Sequence, residues 1–143
     1  MELSKERKRR LLKILERGGI RIDNPSTESF TLYNRALTHS SSENPSYERL
    51  EFLGDRVLNL VVAKYLYDNK EEYQEGEMTK RMEFTNNDNL GDLIQNIGLF
   101  QANDIDIGKG SSLTHNIYAD VFEAWTGVLF LEMGLPTAQD FVL

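Results

Sequence analysis

Apolar residues recur along most of the chain at intervals of three and four positions, which is the spacing of helices that bury one face. Capping residues and glycines divide this pattern into about seven segments. The predicted helices cover about residues 4–17, 28–38, 47–66 and 78–84, then a fifth from a cap at Asn87 or Asp88 to Gly98, a sixth over 116–133 and a seventh from residue 135. The pattern therefore predicts an all-α fold.

The 143 residues contain no internal repeat and no long linker rich in Pro, Gly or Ser, so we expect one compact domain over residues 1–143. Cysteine is absent, which excludes disulfides and thiolate zinc sites. No apolar run has the length of a signal peptide or of a membrane-spanning helix. We therefore expect a soluble, cytoplasmic protein with no membrane partner.

The segment YERLEFLGDRVLNLVVAKYL, residues 47–66, places three acids within a largely apolar helix. At about 100° per residue, one side is predicted to face the core, and it comprises Leu50, Leu53, Val57, Leu60 and Val61. Glu48, Glu51 and Asp55 fall on the opposite side, which on this helix alone favours an ordinary solvent-exposed face. However, apolar residues flank the acids on both sides, so the helix is expected to have protein around most of its surface.

The predicted sixth helix carries a second acidic pair, Asp120 and Glu123, in the stretch NIYADVFEAWTGVLFLE. The two acids are three positions apart and therefore lie next to each other on one face. Gly127 lies one turn further along that face, where a small residue would let another helix approach closely. If this face meets the acidic face of the third helix, four carboxylates converge, those of Glu51, Asp55, Asp120 and Glu123.

Four carboxylates cannot stay ionised in one place unless cations neutralise them. Because the chain offers oxygen ligands, no cysteine and only two histidines, Mg²⁺ is the expected cation, with Mn²⁺ as a substitute. Two such ions about 4 Å apart would balance the four charges and supply the chemistry of phosphodiester hydrolysis, by activating water and stabilising the leaving oxygen. The acids therefore indicate a metal-dependent nuclease.

Charge is distributed unevenly along the chain, whose formal net charge is −7. Residues 1–21 hold eight Lys or Arg and three acids, whereas residues 22–143 hold eight Lys or Arg and twenty acids. This balance argues against a broad basic groove as the source of affinity for nucleic acid. Bound metal ions would instead supply the positive charge that a phosphate backbone requires.

Five segments resemble, in order and spacing, the catalytic domain of ribonuclease III: ALTHSS, ERLEFLGDRVL, EGEMTKR, NIGL and ADVFEAWTGVLFLEMG. The likeness covers nearly the whole chain. ERLEFLGD is the most specific of them, because it combines the acids with a fixed glycine and apolar pattern. The resemblance implies a divalent-metal-dependent endoribonuclease that cuts double-stranded RNA as a homodimer, in the processing of ribosomal or other structured RNA.

By the same resemblance, the catalytic and metal-binding carboxylates of the family correspond to Glu51, Asp55, Asp120 and Glu123. Glu48 and Glu75 would lie along the cleavage valley that receives the RNA. Phe52 matches an aromatic residue that inserts into a pocket of the second subunit, so it is expected at the dimer interface. The chain ends at Leu143, where typical members continue into a double-stranded-RNA-binding domain, so it is either a catalytic fragment or a compact member.

Two alternatives remain open on the sequence. The first is a catalytically silent RNA-binding or ribosome-associated module of the same fold, although such proteins usually lack one or more of the four acids. The second is a plain helical dimer whose acids are solvated. His39 is expected to act as a capping or packing residue rather than as a catalytic base, and Gly54 is expected to be a point of close helix packing.

Overall fold

The computed structural model describes residues 3–69, 74–82 and 87–143, and these residues contain seven α-helices. They are α1 (Lys5–Arg17), α2 (Thr27–Arg35), α3 (Glu48–Asn69), α4 (Glu75–Arg81), α5 (Asn87–Ile97), α6 (His115–Met133) and α7 (Leu135–Val142). Thr38 and Asp106 form an isolated parallel bridge, and the described residues contain no longer strand. The predicted all-α fold is confirmed. Among the described residues, no helix combines the length and the hydropathy of a membrane-spanning segment.

Local capping explains where the first helices begin. The Ser4 hydroxyl accepts a hydrogen bond from the backbone N–H of Arg7 at 3.1 Å, as predicted for the N-cap of α1. Ser26 caps α2 in the same way, so α2 begins at Thr27, slightly earlier than predicted. This helix also ends at Arg35, before the predicted Thr38, because Thr38 turns away to pair with the segment around residue 106.

The starts of α4 and α5 also differ from the predicted ones. Helix α4 begins at Glu75, three residues before the predicted start, and its predicted extension through residues 83 and 84 lies outside the described residues. Asn87 and Asp88 were expected to cap α5, but they are its first two helical residues. Gly98 ends α5 as predicted, with a φ of 72° that a residue with a side chain rarely adopts.

Helix α6 forms the centre of the fold, and helices α3, α5 and α7 pack around it. Its side chains are buried from Ile117 through Leu129 on almost every side, with Asp120 as the half-buried exception. The indole of Trp125 packs against the rings of Tyr33 and Phe100, with centroid separations of 4.8 and 5.6 Å. A helix that is buried all round must satisfy or neutralise any polar group it carries.

Helices α3 and α6 cross at two glycines. A Cβ atom added to Gly54 would lie 1.6 Å from the carbonyl oxygen of Glu123, and one added to Gly127 would lie 2.6 Å from that of Leu50. The two backbones therefore touch, which confirms Gly54 as a point of close packing. This crossing brings the acidic positions of α3 next to those of α6.

The buried face of α3 differs from the predicted one. Leu50, Val57 and Val61 are buried as expected, but Leu60 was assigned to the core and is 54% exposed, which is a correction. Leu58 is buried instead. The cause is the position of the crossing: Gly54 is the contact with α6, and Leu58 lies one turn along the same face.

The segment before α6 is fastened to α1 through Asp104, a carboxylate that is 2% exposed. Arg10 and Arg17 approach its two oxygens at 3.0 and 3.9 Å. The Arg7 guanidinium also donates to the Asp104 carbonyl oxygen at 2.7 Å. Part of the basic charge of the N-terminal helix therefore holds the fold together and fixes the segment that leads to Asp106.

Candidate active site

An open cavity of about 620 Å³ lies beside the crossing of α3 and α6. Five acids line it, namely Glu48, Glu51, Asp55, Asp120 and Glu123. The first three lie on successive turns of α3, and the last two lie on adjacent turns of α6. The predicted meeting of the two acidic faces is therefore what the structure shows.

Three of the four predicted ligands form a tight group. One carboxylate oxygen from each of Glu51, Asp120 and Glu123 lies within 4.8 Å of the other two. Asp55 lines the same cavity but is not part of this group, and its carboxylate pairs with the adjacent Arg56 at 2.9 Å. The structure thus places three acids together and the fourth beside them.

The pKa values of the three clustered carboxylates are raised, mainly by burial and, for Glu51 and Glu123, also by repulsion from neighbouring acids. Burial, followed by the charges of Asp55, Glu51 and Asp120, raises the pKa of Glu123 to about 8. Burial and the neighbouring Asp120 raise the pKa of Glu51 to about 7. The pKa of Asp120 is also raised, chiefly by burial. Near neutral pH the group therefore binds protons unless another cation replaces them.

Glu123 is the most buried of the clustered acids, and one of its carboxylate oxygens is available to bind a ligand. Glu123 is 1% exposed, and its Oε1 has no hydrogen-bond partner in the described part of the protein. A buried carboxylate oxygen without a partner carries a large desolvation cost. Clustered carboxylate oxygens are the donor set that Mg²⁺ and Mn²⁺ prefer, so the residues present fit a divalent cation.

Tyr47 supports this group of three acids, a role that was not predicted from the sequence. Its side chain is buried, and its hydroxyl donates a hydrogen bond to Asp120 Oδ2 at 3.1 Å. Burial and the charge of Asp120 raise the pKa of this hydroxyl, so it stays protonated and remains a donor. The available clue was its position one place before Glu48, the first acid of the helix, because the polar tip of a buried tyrosine needs a partner.

Of the other three residues predicted from the family pattern, two line the acidic cavity and one does not. Glu48 is exposed and lines the acidic cavity. Phe52 also lines it, is 63% exposed, and lies under the Arg56 guanidinium at 4.3 Å from the ring centroid. Glu75 is an exposed first residue of α4 and does not line the cavity as the described residues define it.

The raised pKa values predict how stability depends on pH in the absence of metal. Because Glu123 titrates near 8 in the folded protein and near 4.5 otherwise, the folded state binds the extra proton between these values. The free energy of unfolding therefore falls as pH rises from about 5 to about 8. We expect the melting temperature in EDTA to be higher at pH 6 than at pH 8.

Glu123→Gln is the matched control for this pH dependence, since it removes the titrating group but keeps its shape. The difference in melting temperature between pH 6 and pH 8 should become smaller in this variant. An equal difference in the two proteins would mean that Glu123 does not hold a proton in this range.

Comparison with known proteins identifies the family. A family model described as Ribonuclease-III-like matches residues 29–143, which is most of the chain. The chain belongs to the ribonuclease-III-like family.

Two relatives named Ribonuclease 3 are similar to this chain in sequence. The protein of Borreliella burgdorferi is 37% identical, and the match covers 99% of this chain and 60% of the relative. The protein of Zymomonas mobilis is 39% identical, and the match covers 78% of this chain and 47% of the relative. The chain thus spans about half the length of these relatives.

Two solved structures superpose on this fold. The nuclease domain of ribonuclease III from Campylobacter jejuni superposes with a TM-score of 0.76 at 28% identity, covering 90% of both chains. That nuclease domain has structural flexibility in a region involved in dimer formation. Dicer from Pichia stipitis superposes with a TM-score of 0.58 at 34% identity, covering 79% of this chain and 51% of that one.

Proposed function

We propose that this domain is a divalent-metal-dependent endoribonuclease that hydrolyses phosphodiester bonds in double-stranded RNA, and that residues 1–143 form one catalytic domain. The main support for the proposal is that carboxylate oxygens of Glu51, Asp120 and Glu123 lie within 4.8 Å of one another and that these residues line an open cavity. Membership of the ribonuclease-III-like family supports this reaction class. Ribosomal or other structured RNA precursors are the proposed substrates.

The residues have separate tasks in this proposal. Glu51, Asp120 and Glu123 would hold Mg²⁺, with Mn²⁺ as a substitute, and Asp55 would join them from its place beside the group. When bound, such ions supply Lewis acidity and a hydroxide nucleophile near neutral pH. Tyr47 fixes the orientation of Asp120 through its hydrogen bond. Glu48 and Glu75 are proposed to border the RNA.

The proposed activity is tested by incubating the purified chain with a long RNA duplex or with one of its single strands, at low salt. Each substrate is assayed with Mg²⁺ and with EDTA. We expect cutting of the duplex only, and only with Mg²⁺. Binding of the duplex without cutting would favour a silent RNA-binding module, and cutting in EDTA would contradict the metal requirement.

The protein is also proposed to act as a homodimer through Phe52. This large apolar side chain is mostly exposed, and beside it lies a cavity of about 710 Å³ with apolar lining from Leu32, Leu53 and Leu131. In a twofold dimer, each subunit offers the same patch to its partner, so an exposed aromatic next to an apolar cavity can be self-complementary. Duplex RNA has two strands, and two active sites would cut each once.

Phe52→Ala is expected to weaken this dimer by roughly 2 kcal/mol, the typical loss when a buried aromatic anchor of an interface is removed. Sedimentation velocity across a dilution series measures the change. Tyr67→Ala is the matched control, because it removes an even more exposed aromatic from the far end of α3. Equal dimer dissociation constants for Phe52→Ala and the parent would reject the role of Phe52.

A further inference from the structure

His39 lines the acidic cavity, and its neighbours determine which ring nitrogen carries the proton. The backbone N–H of Ser41 donates to His39 Nδ1 at 3.1 Å, so Nδ1 is an acceptor. The Ser41 hydroxyl lies 2.7 Å from the same nitrogen and itself accepts from the Gly108 N–H at 2.8 Å, which leaves its proton for His39. With Nδ1 accepting twice, a neutral His39 carries its proton on Nε2.

Hydrogen bonds to Asp106 hold the segment around His39 in place. The backbone N–H of His39 donates to the Asp106 carbonyl oxygen at 2.8 Å. The Asp106 carboxylate accepts from the side chains of Ser42 and Asn44, each at 3.0 Å. The imidazole packs edge-on against Tyr47, with ring centroids 5.9 Å apart. The donor on Nε2 is therefore held in place before any ligand binds.

Among the described residues, Nε2 of His39 has no hydrogen-bond partner, although the residue lines the cavity. Ser41, on the Nδ1 side of the ring, does not line it, so Nε2 is the polar edge left for the cavity. The other lining side chain with N–H donors is Arg56, which is engaged by Asp55 and by the Phe52 ring. The positive charge that His39 carries when protonated lowers the pKa of Asp120, against the larger effect of burial. The imidazole therefore lies close to the clustered acids.

We infer that His39 Nε2–H donates a hydrogen bond to a phosphate oxygen of the RNA strand that enters the acidic cavity. This inference rests on the proposed function and adds a substrate-binding residue to it. An N–H group suits this place, because it offers a hydrogen-bond donor to a phosphate oxygen in a cavity whose other side chains are mostly acceptors. The proposed role of His39 is therefore to bind the substrate.

The test uses the full chain and three variants: His39→Ala, His39→Gln, whose amide keeps an N–H donor, and His115→Ala as a control. His115 lies at the start of α6, near Asp92 and away from this cavity. Duplex RNA affinity is measured by fluorescence anisotropy in Ca²⁺, which takes the same oxygen ligands, with a gel check that the strands stay intact. Cleavage parameters are measured in Mg²⁺, and metal binding is measured as the rise in melting temperature with Mn²⁺.

His39→Ala should weaken duplex binding about tenfold, as expected for one hydrogen bond to a charged acceptor, and should raise KM more than it lowers kcat. His39→Gln should recover most of this loss, and His115→Ala should match the parent. The stabilisation by Mn²⁺ should be the same in all four proteins.

Unchanged duplex affinity in His39→Ala, with the parent still cutting RNA, would overturn this inference and leave the proposed function intact. Equal losses in His39→Ala and His39→Gln, or a reduced effect of Mn²⁺, would overturn it as well, because they indicate a structural or metal-directed role. A parent that neither binds nor cuts the duplex would overturn both proposals.

Discussion

Replacing Glu123 by Gln is expected to slow cleavage of double-stranded RNA about a thousandfold, the upper end of the loss when a key electrostatic group is removed from an active site, while leaving the fold intact. Glu123 is the most buried acid of the cavity, and its Oε1 has no partner among the described residues. The amide has the same shape but no charge, so it is a poor ligand for Mg²⁺. Single-turnover cleavage measures the effect.

Two controls separate this loss from a general defect. Glu16→Gln changes an exposed acid on α1 and should cut RNA at the parental rate. In EDTA at pH 8, Glu123→Gln should melt no lower than the parent, because it removes a buried group that is costly to ionise. Cleavage at the parental rate by Glu123→Gln would remove Glu123 from the proposed catalytic group.

Replacing Gly54 by Ala is expected to lower the free energy of unfolding by about 3 kcal/mol or more, at the upper end of the range for overpacked cores. The added Cβ would lie 1.6 Å from the Glu123 carbonyl oxygen, which is backbone and has no alternative rotamer. Helices α3 and α6 would have to separate, and this would also pull Glu51 away from Asp120 and Glu123. Urea denaturation measures the loss.

Gly76→Ala is the matched control, because Gly76 is an exposed helical glycine with open space around its Cβ position. There the same change should keep or slightly raise stability, since alanine favours the helix by up to about 1 kcal/mol. If the two variants denature at the same urea concentration, the close crossing of α3 and α6 is not a main support of the fold.

The helices and the meeting of the two acidic faces could be predicted from the sequence, because both follow from local patterns. Apolar spacing and caps such as Ser4 mark the helices, and Gly54 and Gly127 mark where two of them touch. The spacing of Glu51 from Asp55, and of Asp120 from Glu123, then leaves few ways to arrange the acids.

Other features depend on contacts between distant parts of the chain. Leu60 was expected in the core because a helical wheel shows only one helix and cannot show where α6 makes contact. The role of Asp104 depends on arginines in α1, about ninety residues away in the sequence. The tautomer of His39 depends on Ser41 and Gly108, which meet only in the folded protein.

Glu51, Asp120 and Glu123 are proposed to form a divalent metal site. Crystals of the protein grown with Mn²⁺ at pH 8, with diffraction data collected at the manganese absorption edge, would show whether an ion binds to these residues. An anomalous peak bounded by carboxylate oxygens of these three residues, and absent in Glu123→Gln crystals, is the predicted result. Peaks only elsewhere on the surface, with the three carboxylates still clustered, would contradict the claim.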